Sequence, residues 1–103
     1  MRLLITALVV LVVGCSEDPE SAVIGSWEGI SLKQDFRFYP DGRAELMDPK
    51  HGTYRGNCRF VDSGEMSCRF ERFAYPVVRR VRVRGNKLIL TNSNGQDEEY
   101  RRR

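Results

Sequence analysis

From residue 24 onward, apolar and polar side chains alternate along short stretches of the chain. Phe36-Arg37-Phe38, Met66-Ser67-Cys68-Arg69-Phe70 and Val81-Arg82-Val83 each space their apolar members two apart, the period of one face of a β-strand. No window in this region shows helical periodicity with caps. The runs predict strands near 26–32, 35–39, 43–47, 52–61, 65–72, 77–84, 87–91 and 97–102.

The gaps between the runs carry turn chemistry. Pro40-Asp41-Gly42, Asp62-Ser63-Gly64 and Ser93-Asn94-Gly95 each suit a three-residue hairpin loop, a type I turn ending on a left-handed Gly. Gly85-Asn86 suits a two-residue loop. These loops set the register. Closing Tyr39 on Arg43 pairs Phe38 with Ala44 and Phe36 with Leu46. Closing Val61 on Glu65 pairs Phe60 with Met66 and Cys58 with Cys68. Closing Arg84 on Lys87 pairs Val83 with Leu88 and Val81 with Leu90. Closing Asn92 on Gln96 sets Tyr100 opposite Leu88 but Glu98 opposite Leu90, so this last hairpin is expected to fray near the terminus. Consecutive hairpins without crossovers give an antiparallel meander, and closure removes its unpaired edges. The expected fold is therefore all-β, a small antiparallel up-and-down barrel of about eight short strands. Its expected core is Trp27, Phe36, Phe38, Leu46, Tyr54, Cys58, Phe60, Met66, Cys68, Phe70, Val81, Val83, Leu88, Leu90 and Tyr100.

The N-terminus reads differently. Met1-Arg2 precedes an apolar run from Leu3 to Val13, shorter than the ~20 residues that span a bilayer and typical of a secretory signal. The run ends in Val12-Val13-Gly14-Cys15, which resembles the lipobox of bacterial lipoproteins. The resemblance implies cleavage after Gly14, a diacylglycerol thioether on Cys15 and a palmitate-like acyl chain on its amine. The alternative is an ordinary signal peptide with a Cys at this place. Ser16 stands where an Asp favours inner-membrane retention, which implies an outer-membrane address facing the periplasm. The expected organisation is a signal peptide over 1–14, a lipidated N-terminus and tether over 15–23, and a barrel over 24–103. The stretch Ser16 to Ala22 is polar and acidic and reaches at most roughly 25 Å when extended.

The barrel region resembles the lipocalins. Ile24-Gly25-Ser26-Trp27 carries their first-strand Gly-x-Trp, and FRFYPDG over Phe36–Gly42 looks like a segment of small bacterial lipocalin-like domains. Leu88-Ile89-Leu90-Thr91 and Glu99-Tyr100-Arg101-Arg102 are similar to their last two strands. The resemblance implies that Trp27 plugs one end of the barrel and that Arg101 or Arg102 covers it. Ligand-carrying lipocalins are about twice as long. Strands of about five to seven residues at 3.3 Å each leave an interior that side chains alone can fill.

Composition narrows the functional classes. Of 103 residues, 41% are hydrophobic, too many for a disordered chain. Losing Arg2 with the leader leaves 16 basic side chains against 14 acidic ones, so the net charge falls from +3 to +2. One His and three Cys leave little room for a metal centre. His51 has no second His or Cys at ligand spacing, and no cofactor is expected. No Ser, Cys or carboxylate lies beside a base in a catalytic motif, so the chain is not expected to be an enzyme. Export makes nucleic acid an improbable partner. It also puts Cys58 and Cys68 in an oxidising compartment, where the register sets them opposite each other at a non-hydrogen-bonded position compatible with a disulfide. The CxxC spacing of a redox-active pair is absent.

Two surfaces are candidates. Arg80, Arg82 and Arg84 share the outer face of one strand, either as an anion-binding stripe or as a solvated face paired with Asp97, Glu98 and Glu99. Phe73, Tyr75 and Val77, around Pro76, form either an exposed docking patch or a loop folded over an open barrel end. The expected function is that of a lipid-anchored, non-catalytic binding module contacting an envelope protein. The alternatives are a carrier of a small apolar ligand and an inhibitor of a periplasmic enzyme, which would use 47–52 or 73–78 as a projecting loop.

Overall fold

The computed structural model describes residues 18–62 and 64–103. The expected signal peptide, Cys15 and Ser16 lie outside the described residues. Eight strands follow one another: β1 (Gly25–Gly29), β2 (Asp35–Phe38), β3 (Arg43–Asp48), β4 (Gly52–Phe60), β5 (Glu65–Phe70), β6 (Val77–Arg84), β7 (Lys87–Thr91) and β8 (Asp97–Arg102). Each pairs antiparallel with the next, and β8 pairs with β1 through Trp27–Arg102 and Gly29–Tyr100. The sheet is thus a closed up-and-down barrel, complete within 18–103.

The turns set the register as expected. Tyr39 N–H donates to the Arg43 carbonyl at 2.9 Å, and Asn92 N–H to the Gln96 carbonyl at 3.0 Å. Gly42 and Gly95 take φ of 94° and 81°, which a residue with a Cβ adopts only under strain. Side chains complete the loops. Asp41 accepts from Arg43 N–H, Asp62 from Gly64 and Glu65 N–H, and Asn92 from Asn94 and Gln96 N–H. These amide donors hold the Asp41 and Asp62 carboxyls below the ordinary carboxylate range. The predicted pairs Phe36–Leu46, Phe60–Met66, Cys58–Cys68, Val81–Leu90 and Leu88–Tyr100 are all present.

β1 is shorter than the expected 26–32. The carbonyls of Leu32 and Gln34 fold back onto Gly29 and leave no room for a Cβ, so the strand stops and a loop begins. Gly56 acts similarly in the middle of β4. The place a Cβ would take at Gly56 is filled by the Arg69 carbonyl and Phe70, with which it would collide. A glycine here lets two strands approach and bend together round the barrel.

The core holds Trp27, Phe36, Phe38, Leu46, Met66, Cys68, Phe70, Val81, Leu88, Leu90 and Tyr100, with Ala44 and Val23 added. Tyr54, Cys58, Phe60 and Val83 pack against it, half-buried. Phe36 stacks on Phe38 with ring centroids 5.2 Å apart and meets Tyr100 edge-on at 5.3 Å. Val23 corrects the expected tether. Pro19–Ala22 form a one-turn helix, α1, with Pro in its first turn, and Val23 is buried at 4% exposure. Residues 19–23 therefore pack on the barrel rather than serve as tether, because an apolar side chain at 23 has a barrel end to cover.

Candidate functional site

Successive loops of an up-and-down barrel alternate between its two ends. The N-terminal end carries α1, the loops 40–42 and 85–86, and the turn flanked by Asp62 and Gly64. The far end carries the loops 30–34, 49–51, 71–76 and 92–96. Both ends are closed by side chains.

At the N-terminal end the plug is Trp27, fully buried. Its indole N–H donates to the Val23 carbonyl at 2.8 Å. The Arg102 guanidinium lies 4.1 Å from the ring centroid and donates to the Ile24 and Ala22 carbonyls at 3.2 and 3.0 Å. One arginine thus covers the indole and satisfies the last carbonyls of the α1 segment. Arg102 takes this place, and Arg101 points outward to Glu28 at 3.6 Å. Strand alternation decides between them, because Tyr100 faces inward and Arg102 shares its face.

At the far end Arg79 and Glu98 meet at 3.3 Å, both side chains at most a quarter exposed. Glu98 also accepts from the Tyr100 hydroxyl at 3.4 Å, and that hydroxyl accepts from the Gln34 amide at 2.9 Å. The Glu98–Leu90 register is therefore ordered rather than frayed: β8 runs regularly to Arg102, and Arg79, inward on β6, supplies the countercharge. Burial pushes the Tyr100 phenol above its ordinary value, and the Glu98 charge adds to this. An unfolded chain ionises a tyrosine near pH 10, whereas the folded protein resists. Stability from this group is complete below about pH 10 and falls as pH rises further. Tyr100→Phe is expected to flatten the alkaline limb of a Tm-against-pH curve, at a cost of about 1 kcal/mol at pH 7 for the lost hydrogen bonds. An unchanged alkaline limb would show that the phenol does not titrate differently in the folded state.

The loop 71–76 separates the three residues expected to form a patch. Phe73 is half-buried, edge-on to Tyr54 at 5.1 Å and tilted against Phe70 at 5.6 Å. Val77 packs against the core, while Tyr75 is 80% exposed. Phe73→Ala is expected to cost about 2 kcal/mol, from partial loss of buried aromatic surface. Tyr75→Ser should stay within about 0.5 kcal/mol. Chemical denaturation of the two variants checks both.

The expected stripe lies on the outer face of β6. Arg82 is 3.4 Å from Asp97, and Lys87 on β7 is 3.4 Å from Glu99. Arg80 and Arg84 are exposed and make no ion pair among the described residues. His51 sits in its loop with Nδ1 3.5 Å from Asp48. Sequence reading overlooked a further concavity on the outer wall, about 230 Å³, bounded by Asn57, Cys58, Arg59, Ser67, Arg69 and Pro76. The larger grooves, about 650 and 630 Å³, also lie on the wall and loops: one beside Ile30, Leu32 and Met47, the other beside Tyr39, Arg55 and Arg72. On the axis itself stand Trp27, Phe70, Leu88, Leu90 and Tyr100, each under 2% exposed.

No protein-family model matches the chain, and no curated protein matches its sequence.

Proposed function

We propose that this chain is an envelope lipoprotein, anchored through Cys15, whose lipocalin-like barrel serves as a non-catalytic binding module on its outer surface. The leader and the Val-Val-Gly-Cys ending support the anchor. The Trp27 plug covered by Arg102 supports the lipocalin likeness. The observation that carries the reading is the occupied axis, where five large side chains are buried. A small ligand carried in the lumen would have to displace them, so recognition falls to the wall and the loops.

The anchor also orients the module. With α1 docked from Pro19, the four residues 15–18 reach about 14 Å at most. The N-terminal end then faces the membrane, and Ile30, Leu32 and the exposed Tyr75 face away, toward an envelope partner. In cells fed labelled palmitate, the chain should carry the label and sediment with outer membranes, while Cys15→Ala should be unlabelled and soluble in the periplasm. A photo-crosslinker replacing Tyr75 should give one discrete adduct in intact cells. A soluble, unlabelled wild type contradicts the anchor, and absence of an adduct both there and at Ile30 contradicts the docking end.

A further inference from the structure

The small concavity on the wall has an unusual lining. Asn57 pairs with Arg69 and Arg59 with Ser67, one row either side of the Cys58–Cys68 pair. All four alternate outward, since both cysteines face in. The result is a two-by-two tile in which the arginines occupy one diagonal and Asn57 and Ser67 the other. Diagonal neighbours on paired strands are within reach of long side chains. Four lining side chains, Asn57, Arg59, Ser67 and Arg69, can donate hydrogen bonds, the bridged Cys58 and Pro76 cannot, and no carboxylate lines the hollow. Neither guanidinium is engaged in an ion pair among the described residues. This distinguishes the tile from Arg43, bound to Asp41 at 2.8 Å, and from Arg82, bound to Asp97.

The tile is also held still. Val61 N–H donates to Glu65 and Glu71 N–H to Arg55, both at 2.9 Å. Counting by twos between them makes 57–69 and 59–67 hydrogen-bonded pairs and leaves 58–68 as the open pair that the disulfide fills. The staple fixes the register on which both arginines depend. Pro76, at the start of the next strand, walls the hollow without offering an amide.

We propose that this tile, Asn57, Arg59, Ser67 and Arg69, is a binding site for a phosphate-type oxyanion. Two planar guanidinium forks match the edges of a tetrahedral oxyanion. The hydroxyl and the amide supply donors to its remaining oxygens, and a hollow of about 230 Å³ admits the group without a large substituent. A planar carboxylate has too few oxygens to use all four side chains. The site deepens the reading of the barrel as a binding module and rests on it. It does not depend on the anchor, so the test uses the self-contained barrel, residues 18–103.

Inorganic phosphate and glycerol phosphate, titrated into the ¹⁵N-labelled barrel, should produce saturable shifts at residues 57, 59, 67 and 69. The double variant Arg59→Gln/Arg69→Gln should raise the apparent Kd at least tenfold with an unchanged Tm. Arg80→Gln/Arg84→Gln should change it less than twofold, and acetate should bind at least tenfold more weakly than phosphate. Sedimentation with phosphatidylcholine vesicles containing phosphatidylglycerol separates the sources. Uptake of the wild type but not of the Arg59/Arg69 variant assigns a lipid headgroup. Equal uptake of both, with phosphate binding intact, assigns a soluble phosphorylated solute. Absence of saturable shifts at the tile, shifts that survive in the double variant, equal loss in Arg80→Gln/Arg84→Gln, or acetate binding as tightly as phosphate would each overturn the site. None of these outcomes alters palmitate labelling of Cys15, so failure of the tile is distinguishable from failure of the anchor.

Discussion

Trp27→Ala is expected to lower the unfolding free energy by about 3–5 kcal/mol, the cost of emptying a large aromatic site in a core that collapses only partly. For a domain of this size the corresponding fall in Tm is about 15–30 °C. The size of the effect follows from how many contacts meet at one side chain. Trp27 is fully buried on β1, the strand that closes the barrel by pairing with both β2 and β8. Its N–H holds the Val23 carbonyl, and its ring supports Arg102, which in turn binds Ala22 and Ile24. Alanine leaves a cavity, a buried carbonyl without its donor and an arginine without its platform. Trp27→Phe, which keeps most of the volume but not the N–H, should cost about 1–2 kcal/mol. A Tm shift below 5 °C for the alanine variant would show that the indole is not the plug of this barrel.

Reducing Cys58–Cys68, or replacing both with Ser, should cost on the order of 2–3 kcal/mol. That is the loop-closure contribution of a bridge between residues ten apart in sequence. A single core of fewer than about ninety residues supplies little excess stability, so the loss is a large fraction of the total. The oxidised protein, unfolded without reductant, should show no thiol reactive with Ellman's reagent after its lipidated or substituted Cys15 is accounted for. Two reactive thiols there would contradict the staple. The same variant should loosen the Arg59–Arg69 register and weaken phosphate binding, whereas a stabilising substitution elsewhere should not restore it.

The reason the barrel was legible in the sequence is that four of its seven hairpins contain their own ruler. A Gly-bearing loop of fixed length determines which residues face each other, and Cys58–Cys68 and Phe36–Leu46 follow from counting alone. Glu98 was harder, because its inward position looks like an error until Arg79, inward by the same alternation on β6, is placed at the same end. Arg102 follows from parity with Tyr100 once β8 is closed on β1. Val23 does not follow, because covering a barrel end is a tertiary event with no period to read, and for the same reason the loop of Phe73 stayed open between an exposed patch and a cover over the barrel end. Among the candidate surfaces, alternation placed Arg80, Arg82 and Arg84 outside but could not show that Asp97 reaches Arg82 across an intervening strand. Arg59 and Arg69 were within reach of the same register that paired the cysteines. What the sequence lacked was the map of neighbouring carboxylates that leaves these two arginines without a partner among the described residues.

On the proposed function the lumen is filled by side chains and recognition falls to the outer surface. The chain has a single tryptophan, so its indole N–H gives one resonance, reporting from the axis. Titration of the ¹⁵N-labelled barrel with a soluble medium-chain fatty acid should leave that resonance in place up to the highest monomeric concentration. A saturable one-to-one shift of the Trp27 indole, accompanied by the methyls of Leu88 and Leu90, would mean that the lumen opens to a ligand, and would contradict it.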